Sequence, residues 1–193
     1  MMDLRLKCRR ALGALIGSAL LLAWAPTAGP AHAGKQAQGA STAHSYEIRF
    51  LKKMIDHHLS AIQMGEECGT RATHAELKDL CHRIVSAQQA EVATMRDWLR
   101  GWYRVSYVGA PMPMASMRGM RAMHGGPYEI AFMRTMIRHH AMAVQMAKEC
   151  QRRAGHSQLK TACRNIVSAQ RQEIGQMETW LCHWYQKCNT RTP

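Results

Sequence analysis

Apolar residues recur at helical spacing along two consecutive stretches in the first half of the chain. In the first stretch they fall on one face of a helical wheel, together with Cys68: Leu51, Met54, Ile55, Ala61 and Ile62. This pattern predicts a helix from about Ser45 to Cys68, because Gly69 and Thr70 give a stop signal immediately afterwards.

The second stretch predicts a longer helix that begins near Thr73 or His74 and runs to about Tyr103. One face repeats at heptad spacing and carries Leu77, Cys81, Ile84, Gln88, Glu91, Met95, Trp98 and Trp102. Two helices joined by a short turn, each with one apolar face, predict an antiparallel hairpin that must bury those faces against a partner.

The partner is a second copy of the same unit. Residues 46–103 align without a gap on residues 128–185 at an offset of 82, and 30 of the 58 positions are identical. We therefore predict an all-α fold, an antiparallel four-helix bundle of the ferritin-like kind, built from hairpin repeats at 46–107 and 128–187 and joined by a linker at 108–127.

The first 33 residues have the three parts of a secretory signal peptide. Basic side chains between positions 5 and 10 precede an apolar run from Ala11 to Ala25, and Ala31-His32-Ala33 matches a small-x-small cleavage site. The apolar run is short for a membrane span, which needs about 20 residues. We expect cleavage near Ala33, a periplasmic or secreted product without a membrane span, and a disordered leader at 34–45.

The net charge of the chain does not alter the predicted fold or compartment. The chain has 26 basic and 13 acidic residues, a formal net charge of +13, and loss of the signal peptide leaves +10. The Lys and Arg residues are scattered along outer helix faces and form no continuous stripe with interleaved aromatic residues. We interpret the charge as a solvated surface and predict no nucleic-acid partner.

Six cysteines remain after cleavage, an even number in an oxidising compartment, which favours disulfides over thiolate metal ligation. The repeat narrows the pairings, because one cysteine ends the first helix of each repeat and another begins the second. We predict Cys68–Cys81, Cys150–Cys163 and Cys182–Cys188.

The inner face of each first helix also carries two adjacent histidines and two methionines, which predict a soft-metal site. They are Met54, His57, His58 and Met64, with the equivalents Met136, His139, His140 and Met146. A buried imidazole needs a hydrogen-bond partner or a metal, so a face made only for packing would more readily carry leucine. The alternative is that these residues are satisfied core side chains.

Polar residues in the middle of the second helix's inner face point the same way. A buried carboxylate is unfavourable unless it is paired or ligating, and a histidine of the first helix can pair with Gln88 or Glu91, as its equivalent can with Gln170 or Glu173. Such a contact would leave the other imidazole nitrogen free for a metal. A structural His–Glu hydrogen bond without metal is the alternative.

The linker from Val108 to Pro127 is rich in thioethers: Met112, Met114, Met117, Met120 and Met123, followed by His124. Methionine in an exposed polar linker has no core to fill, and thioethers suit Cu(I) or Ag(I). Gly and Pro residues argue against one continuous packed helix here. The alternatives are a flexible linker or a short partner-binding helix.

Together these motifs resemble a known family. The pattern Met-Ile-x-His-His-x-x-Ala-x-x-Met, followed by Gln-x-x-Glu-(Ile/Val)-x-x-Met-x-x-Trp-Leu, occurs in both repeats and resembles the DUF305 family of ferritin-like helical bundles, whose CopM-like members are periplasmic copper-binding proteins linked to copper resistance. The resemblance implies Met and His ligands for copper, and it adds Met95 and Met177 to the candidates above.

The sequence therefore predicts a non-enzymatic periplasmic protein that binds Cu(I), with Ag(I) and Cu(II) as further candidates, for copper buffering, transfer or resistance, together with a copper-handling partner protein. The first alternative is a non-metal structural or partner-binding module. A di-iron oxidoreductase ranks lower, because it needs about four inward carboxylates with Glu-x-x-His pairs, and Glu91 and Glu173 are the two we expect on the inner faces. No Gly-x-Ser-x-Gly or Gly-rich phosphate loop occurs.

Overall fold

The computed structural model describes residues 31–113 and 115–188, which form five helices. They are α1 (Ala31–Arg71), α2 (Ala75–Tyr103), α3 (Ala115–Met120), α4 (Gly125–Arg153) and α5 (Ser157–Tyr185). The described residues contain no strand. The all-α bundle predicted from the periodicity is confirmed: α1 packs on α2, α4 packs on α5, and α1 packs on α4 between the hairpins.

The helix ends lie within a few residues of those predicted, although Gly69 and Thr70, predicted as the stop after Cys68, lie inside α1, which ends at Arg71. Both long second helices finish with a left-handed residue, Arg104 at φ 57° and Gln186 at φ 54°. In each case the N–H of that residue donates to the carbonyl four residues earlier, the αL type of helix end, and the N–H of the next residue donates to the carbonyl six residues before it. The predicted starts near His74 and ends near Tyr103 are therefore close to those observed.

The start of α1 differs from the prediction. The segment 34–45, expected to be a disordered leader, belongs to a helix that begins at Ala31. The segment contains no Pro, the residue that most strongly interrupts a helix, so it can continue the helix that follows it. The polar composition that suggested disorder is also the composition of a solvated helix. The signal-peptide prediction falls mainly on residues 1–30, which lie outside the described residues.

Two buried glutamates join the hairpins end to end. Glu129, near the start of α4, accepts hydrogen bonds at the start of α2 from the backbone N–H groups of Thr73 and His74 (2.9 Å for His74), from Nδ1 of His74 (2.6 Å) and from the hydroxyl of Tyr185. The indole of Trp184 stacks on the His74 ring with a centroid separation of 4.0 Å. The carboxylate thus caps the helix of the other repeat.

Glu47 does the same at the opposite end of the bundle. It accepts from the backbone N–H groups of Gly155 (2.7 Å) and His156 (2.9 Å), from Nδ1 of His156 (2.9 Å) and from the hydroxyl of Tyr103. Glu47 and Glu129 are both fully buried. The expectation that Glu91 and Glu173 are the two carboxylates of the inner faces is therefore wrong. Glu47 and Glu129 are buried as well, because each binds a helix start of the other repeat and a tyrosine of its own repeat.

The reciprocal contacts fix how the hairpins are arranged. Glu47 in α1 contacts the residues that follow the end of α4, and Glu129 at the start of α4 contacts the residues that follow the end of α1. The helices α1 and α4 therefore run antiparallel. A pseudo-two-fold axis between them relates each residue to the one 82 positions away. Pairs of equivalent residues near the middle of α1 and α4 must therefore face each other across this axis.

The apolar core is divided into two clusters. The first apolar cluster includes Phe50, Met54, Met95, Leu99, Leu159 and Ile166. The second apolar cluster includes Met64, Leu77, Leu80, Phe132, Met136 and Met177. Each cluster draws side chains from both hairpins, so neither hairpin has a complete core of its own. The buried polar residues of the middle of the bundle lie in neither cluster.

Three disulfides join the six described cysteines in the pairs predicted: Cys68–Cys81, Cys150–Cys163 and Cys182–Cys188. The first two connect the two helices of a hairpin next to its turn, and their four sulfur-bearing residues are fully buried. The third joins the end of α5 to the segment after it.

Removing one buried disulfide should destabilise the protein measurably. With a separation of 13 residues, replacing both Cys150 and Cys163 by Ala should lower the free energy of unfolding by about 3 kcal/mol in the chain-entropy model. Urea denaturation followed by circular dichroism measures this. Replacing Cys182 and Cys188, which close a loop of 6 residues, is the matched control and should have a smaller effect; equal effects would contradict the prediction.

The linker between the repeats runs back along α1. The carboxylate of Asp56 accepts hydrogen bonds from the Tyr107 hydroxyl (2.7 Å) and the Ala110 backbone N–H (3.0 Å), and Met112 donates its N–H to the Ser60 hydroxyl (2.7 Å). Further on, Arg71 donates to linker carbonyls, including that of Met120 at 3.0 Å. In the part of the chain that the structure describes, no helix is long and apolar enough to cross a membrane.

Candidate metal centre

Four buried histidines form a layer where α1 and α4 cross. This histidine layer consists of His57, His58, His139 and His140, each at most 1% exposed. The rings of His57 and His139 lie against each other across the pseudo-two-fold axis, with centroids 3.6 Å apart and planes 30° apart. The adjacent histidine in each repeat lies about 6 Å away between ring centroids. The double-histidine motif of each repeat thus meets that of the other.

The outer histidine of each pair contacts a glutamate of its own hairpin. Nε2 of His58 lies 2.6 Å from Oε2 of Glu91 and donates to it, while Nδ1 of His58 has no hydrogen-bond partner among the described residues. Nε2 of His140 lies 2.8 Å from Oε2 of Glu173, at an angle outside normal hydrogen-bond geometry. The structure therefore has the contact between the first helix and Glu91 that the sequence suggested, made by His58.

Several polar atoms of this layer are buried without a protein partner among the described residues. They are both ring nitrogens of His57 and His139, Nδ1 of His58 and His140, and Oε1 of Gln88 and Gln170. A buried polar atom that makes no hydrogen bond costs about 1–3 kcal/mol. The amide oxygens of the two glutamines do not accept hydrogen bonds from the histidine rings. The layer therefore contains buried donors and acceptors that the described residues leave unpaired.

Burial also fixes the charge state of the central pair. Burial, together with the nearby His58 and His140, lowers the pKa of His57 to about 3. Burial lowers the pKa of His139 to about 2, again with the neighbouring histidines contributing. Both rings are therefore neutral at pH 7, and a neutral imidazole offers a lone pair to a metal without first losing a proton.

The methionines are sorted by level along the bundle. The first apolar cluster contains Met54 and Met95, with Met146 packed against it. The second apolar cluster contains Met64, Met136 and Met177. Counting only the candidate ligands of the two repeats, each cluster combines two thioethers of one repeat with one of the other, and the second cluster also contains Met120 and Met133. The histidine layer lies between the two sets.

This sorting differs from a simple one-site-per-repeat arrangement. Met54 and Met64 share one face of α1, as predicted, but ten residues of helix separate them by about 15 Å. One ion held at bond lengths near 2.3 Å cannot reach both sulfurs. The wheel pattern gave the face of the helix correctly and could not give the pairing, because the partner thioether comes from the other hairpin.

The linker candidates have different environments. Met112 is half-buried against α1, while Met123 and His124 are exposed. Met120 is 4% exposed and belongs to the second apolar cluster, so the expectation that linker methionines have no core to fill is wrong for this residue. Met114 and the side chain of Met117 lie outside the described residues.

Carboxylate and imidazole groups do not gather at one point in the described residues. No group of three or more His, Cys, Asp or Glu side chains there has the geometry to hold a metal ion. Glu47 and Glu129 are at opposite ends of the bundle, engaged in helix caps, and Glu91 and Glu173 contact different histidines. The donors close to the histidine layer in each cluster are thioethers, the soft ligands of the set.

Sequence reasoning missed Glu47, Glu129 and their partners. The signal was present, because a Glu near the start of the first helix, a His at the start of the second and a Tyr at its end are identical in both repeats. Three repeated polar residues so far apart in sequence indicate a joint role. The histidines at the helix starts are therefore structural side chains that bind the capping glutamates.

Comparison with known proteins agrees with this architecture. No curated protein sequence matches the chain. Among solved structures, CopM with bound silver is 31% identical with a TM-score of 0.65 over 72% of this chain and 97% of CopM, and CopM in its Cu(I)-bound form is 29% identical with a TM-score of 0.66 over the same shares. A DUF305 protein of Streptomyces coelicolor, described as secreted, is 26% identical with a TM-score of 0.66 over 72% of this chain and 91% of its own.

The family comparison covers nearly the whole bundle. The model of the domain of unknown function DUF305 matches residues 47–128 and again residues 129–192. The two matches abut, as expected for two hairpin repeats in tandem. The chain belongs to the DUF305 family.

Proposed function

We propose that the protein binds Cu(I), with Ag(I) as an alternative ion, through imidazoles of the histidine layer and thioethers of the two apolar clusters. The observation that carries the proposal is the set of buried imidazole nitrogens without partners at the crossing of α1 and α4. A soft cation there would replace the missing hydrogen bonds of neutral rings. The Cu(I)-bound and silver-bound forms of the related CopM support the choice of ion.

The contacts of the outer histidines suit ligation. Glu91 accepts from Nε2 of His58, which orients the ring and makes its Nδ1 the more basic nitrogen. Glu173 has the matching position beside His140. We call the side of the histidine layer that faces the first apolar cluster the first half, and the side that faces the second apolar cluster the second half. The ligand set we propose for the first half is His57, His58 and the thioethers of Met54, Met95 and Met146. The second half has the equivalent set of His139, His140, Met64, Met136 and Met177.

The linker would act as a first capture site. Met112 and Met123, with His124, lie outside the buried core, where a labile thioether can exchange an ion without unfolding the bundle. Met120 would contribute to packing. Exchange between thioethers and imidazoles moves the ion without any change of oxidation state, which suits a protein that buffers copper or passes it to a partner.

The compartment we propose is the periplasm or the extracellular space. The signal-peptide pattern at 1–33 and the three disulfides both suit an oxidising environment. A secreted relative from Streptomyces coelicolor supports export. The physiological role that follows is copper buffering, transfer or resistance outside the cytoplasm.

Replacing thioethers by hydrocarbon tests the proposal without emptying the core. Leu has nearly the volume of Met, so Met54→Leu combined with Met95→Leu and Met146→Leu should change stability little. In an anaerobic competition titration with a chromophoric chelator, the site with Met54, Met95 and Met146 should bind Cu(I) at least tenfold more weakly in the triple variant, a loss of about 1.4 kcal/mol. The other site should keep its affinity. Met142→Leu, at a methionine that is 48% exposed, is the matched control.

Each outcome of the titration separates the candidate functions. Tight binding by the wild type and the control, with weaker binding by the triple variant, supports thioether ligation. No uptake by the wild type would favour a structural or partner-binding module. Unchanged affinity in the triple variant would show that the ion does not use these sulfurs.

A further inference from the structure

A cleft between α2 and α5 leads from solvent toward one of the two His–Glu pairs. It has a volume of about 200 Å³, and its lining includes Phe50, Glu91, Met95 and Trp98. Glu91 is the residue that accepts the hydrogen bond of His58. Met95 is 3% exposed and belongs to the first apolar cluster. The cleft therefore joins the surface to both kinds of ligand proposed for the first half.

The residues that leave this cleft open are smaller than their equivalents in the other repeat. Ala90, Thr94, Ala162 and Asn165 line the cleft. The residues 82 positions away are larger in all four cases: Gln172, Gln176, Leu80 and Arg83. Leu80 is 1% exposed, so at the opposite end a buried isobutyl group occupies the position that Ala162 leaves free.

The exposure of the two glutamates follows the same asymmetry. The side chain of Glu91 is 34% exposed, whereas that of Glu173 is 18% exposed. Both contact a histidine that is fully buried. Two halves related by a pseudo-two-fold axis therefore give different access to equivalent groups, and the larger side chains at the four positions above lie on the side of the less exposed glutamate.

The chemistry of the cleft suits a soft monovalent cation. A carboxylate at its wall attracts a cation, the thioether of Met95 can replace water around it, and the aromatic rings of Phe50 and Trp98 stabilise a partly dehydrated cation by cation–π attraction. A divalent hard ion would need more oxygen ligands than this wall offers.

We propose that this cleft is the entry and exchange site through which a soft monovalent cation reaches the first half, and that the equivalent route to the second half is closed by Leu80 and its neighbours. The two halves then form a rapidly exchanging site beside His58 and a slowly exchanging site beside His140. This inference rests on the proposed function and adds to it a direction of access.

Filling the cleft tests the proposal. Ala162→Leu copies the residue that the equivalent position already carries, so the fold is expected to accept it. Transfer of Cu(I) from a coloured chelator complex, followed anaerobically by stopped flow, should show a fast phase in the wild type that slows at least tenfold in the variant. The amount bound at equilibrium should not change. Ala93→Leu, at an exposed position of α2 outside the cleft, is the matched control.

The reverse substitution tests the closed route to the second half. Leu80→Ala should convert the slow phase of Cu(I) transfer into a second fast phase, because Ala at position 80 opens the space that Ala162 already leaves open in the cleft. Thr94→Gln, which copies Gln176 at the rim, gives a second way to narrow the cleft if Ala162→Leu lowers the melting temperature. An unaltered slow phase in Leu80→Ala would overturn the closed route.

The results distinguish the cleft from the proposed function. If the wild type takes up no Cu(I), the proposed function fails. If it takes up Cu(I) and Ala162→Leu transfers at the wild-type rate, or if Ala93→Leu slows transfer equally, the cleft proposal is overturned while metal binding stands.

Discussion

Replacing both Glu47 and Glu129 by glutamine is expected to lower the free energy of unfolding by about 6 kcal/mol, about 3 kcal/mol for each site. Each carboxylate accepts two backbone N–H groups and an imidazole N–H at the start of a helix in the other repeat, and a tyrosine hydroxyl from the end of the second helix of its own repeat. Glutamine is neutral and turns an amide donor toward some of these donors, which leaves buried groups unpaired.

Additivity is a sensitive part of this prediction. The two sites are at opposite ends of the bundle and share no partner, so the single variants should sum to the double. Urea denaturation monitored by circular dichroism gives the three values. Glu66→Gln with Glu76→Gln, both at exposed positions, is the control. A double Glu47/Glu129 variant within about 1 kcal/mol of the wild type would show that the caps contribute little.

Mild acid is expected to unfold the metal-free protein, and the central histidines are the main reason. The folded-state pKa values of His57 and His139, about 3 and about 2, are depressed from 6.5. Above pH 6.5 both states carry neutral rings. Below it the unfolded chain binds two protons that the folded chain excludes, so stability falls by up to about 2.7 kcal/mol for each pH unit lost between pH 6 and 4.

The capping glutamates act at lower pH. Burial alone would raise the pKa of Glu129, but hydrogen bonds from Tyr185, His74 and Thr73 lower it to about 2. The stability that this carboxylate contributes is present above pH 4.5 and is lost as the pH falls toward 2. The pKa of Glu47 is lowered in the same way. Acid therefore removes the two contributions in sequence, first that of the neutral histidines and then that of the caps.

A pH series of urea midpoints in the presence of a metal chelator measures the effect. His57→Leu with His139→Leu should remove the slope between pH 6 and 4, because neither state then binds the two protons at these positions. His82→Gln, at an exposed histidine of α2, should retain the slope. Equal slopes in the wild type and the double leucine variant would mean that burial does not hold these rings neutral.

Local features of the fold could be predicted because they depend on neighbouring residues. Helical periodicity gave the two helices of the hairpin, and the position of one cysteine on each side of a turn gave Cys68–Cys81 and its equivalent. The contact between a histidine of the first helix and Glu91 was also within reach, since both residues lie on inner faces of one hairpin.

Features that join the two repeats could not be predicted in the same way. The stacking of His57 on His139 and the sorting of Met64 with Met136 depend on how α1 crosses α4. A helical wheel gives the direction of a side chain around one axis and contains no information about which helix lies opposite. The cleft could not be predicted from one repeat either, because it is lined by Thr94 of α2 and Ala162 of α5, which belong to different repeats.

The reciprocal caps have a consequence for how such a protein could arise. One hairpin alone carries a glutamate with no helix start to bind and a helix start with no glutamate, whereas two identical hairpins placed antiparallel across a two-fold axis meet both needs at once. A gene encoding a single hairpin could therefore have produced a stable two-chain homodimer with the same axis. Fusion of two such genes would have allowed the two repeats to differ in sequence. Only then could the cleft beside Glu91 stay open while the equivalent route beside Glu173 closed.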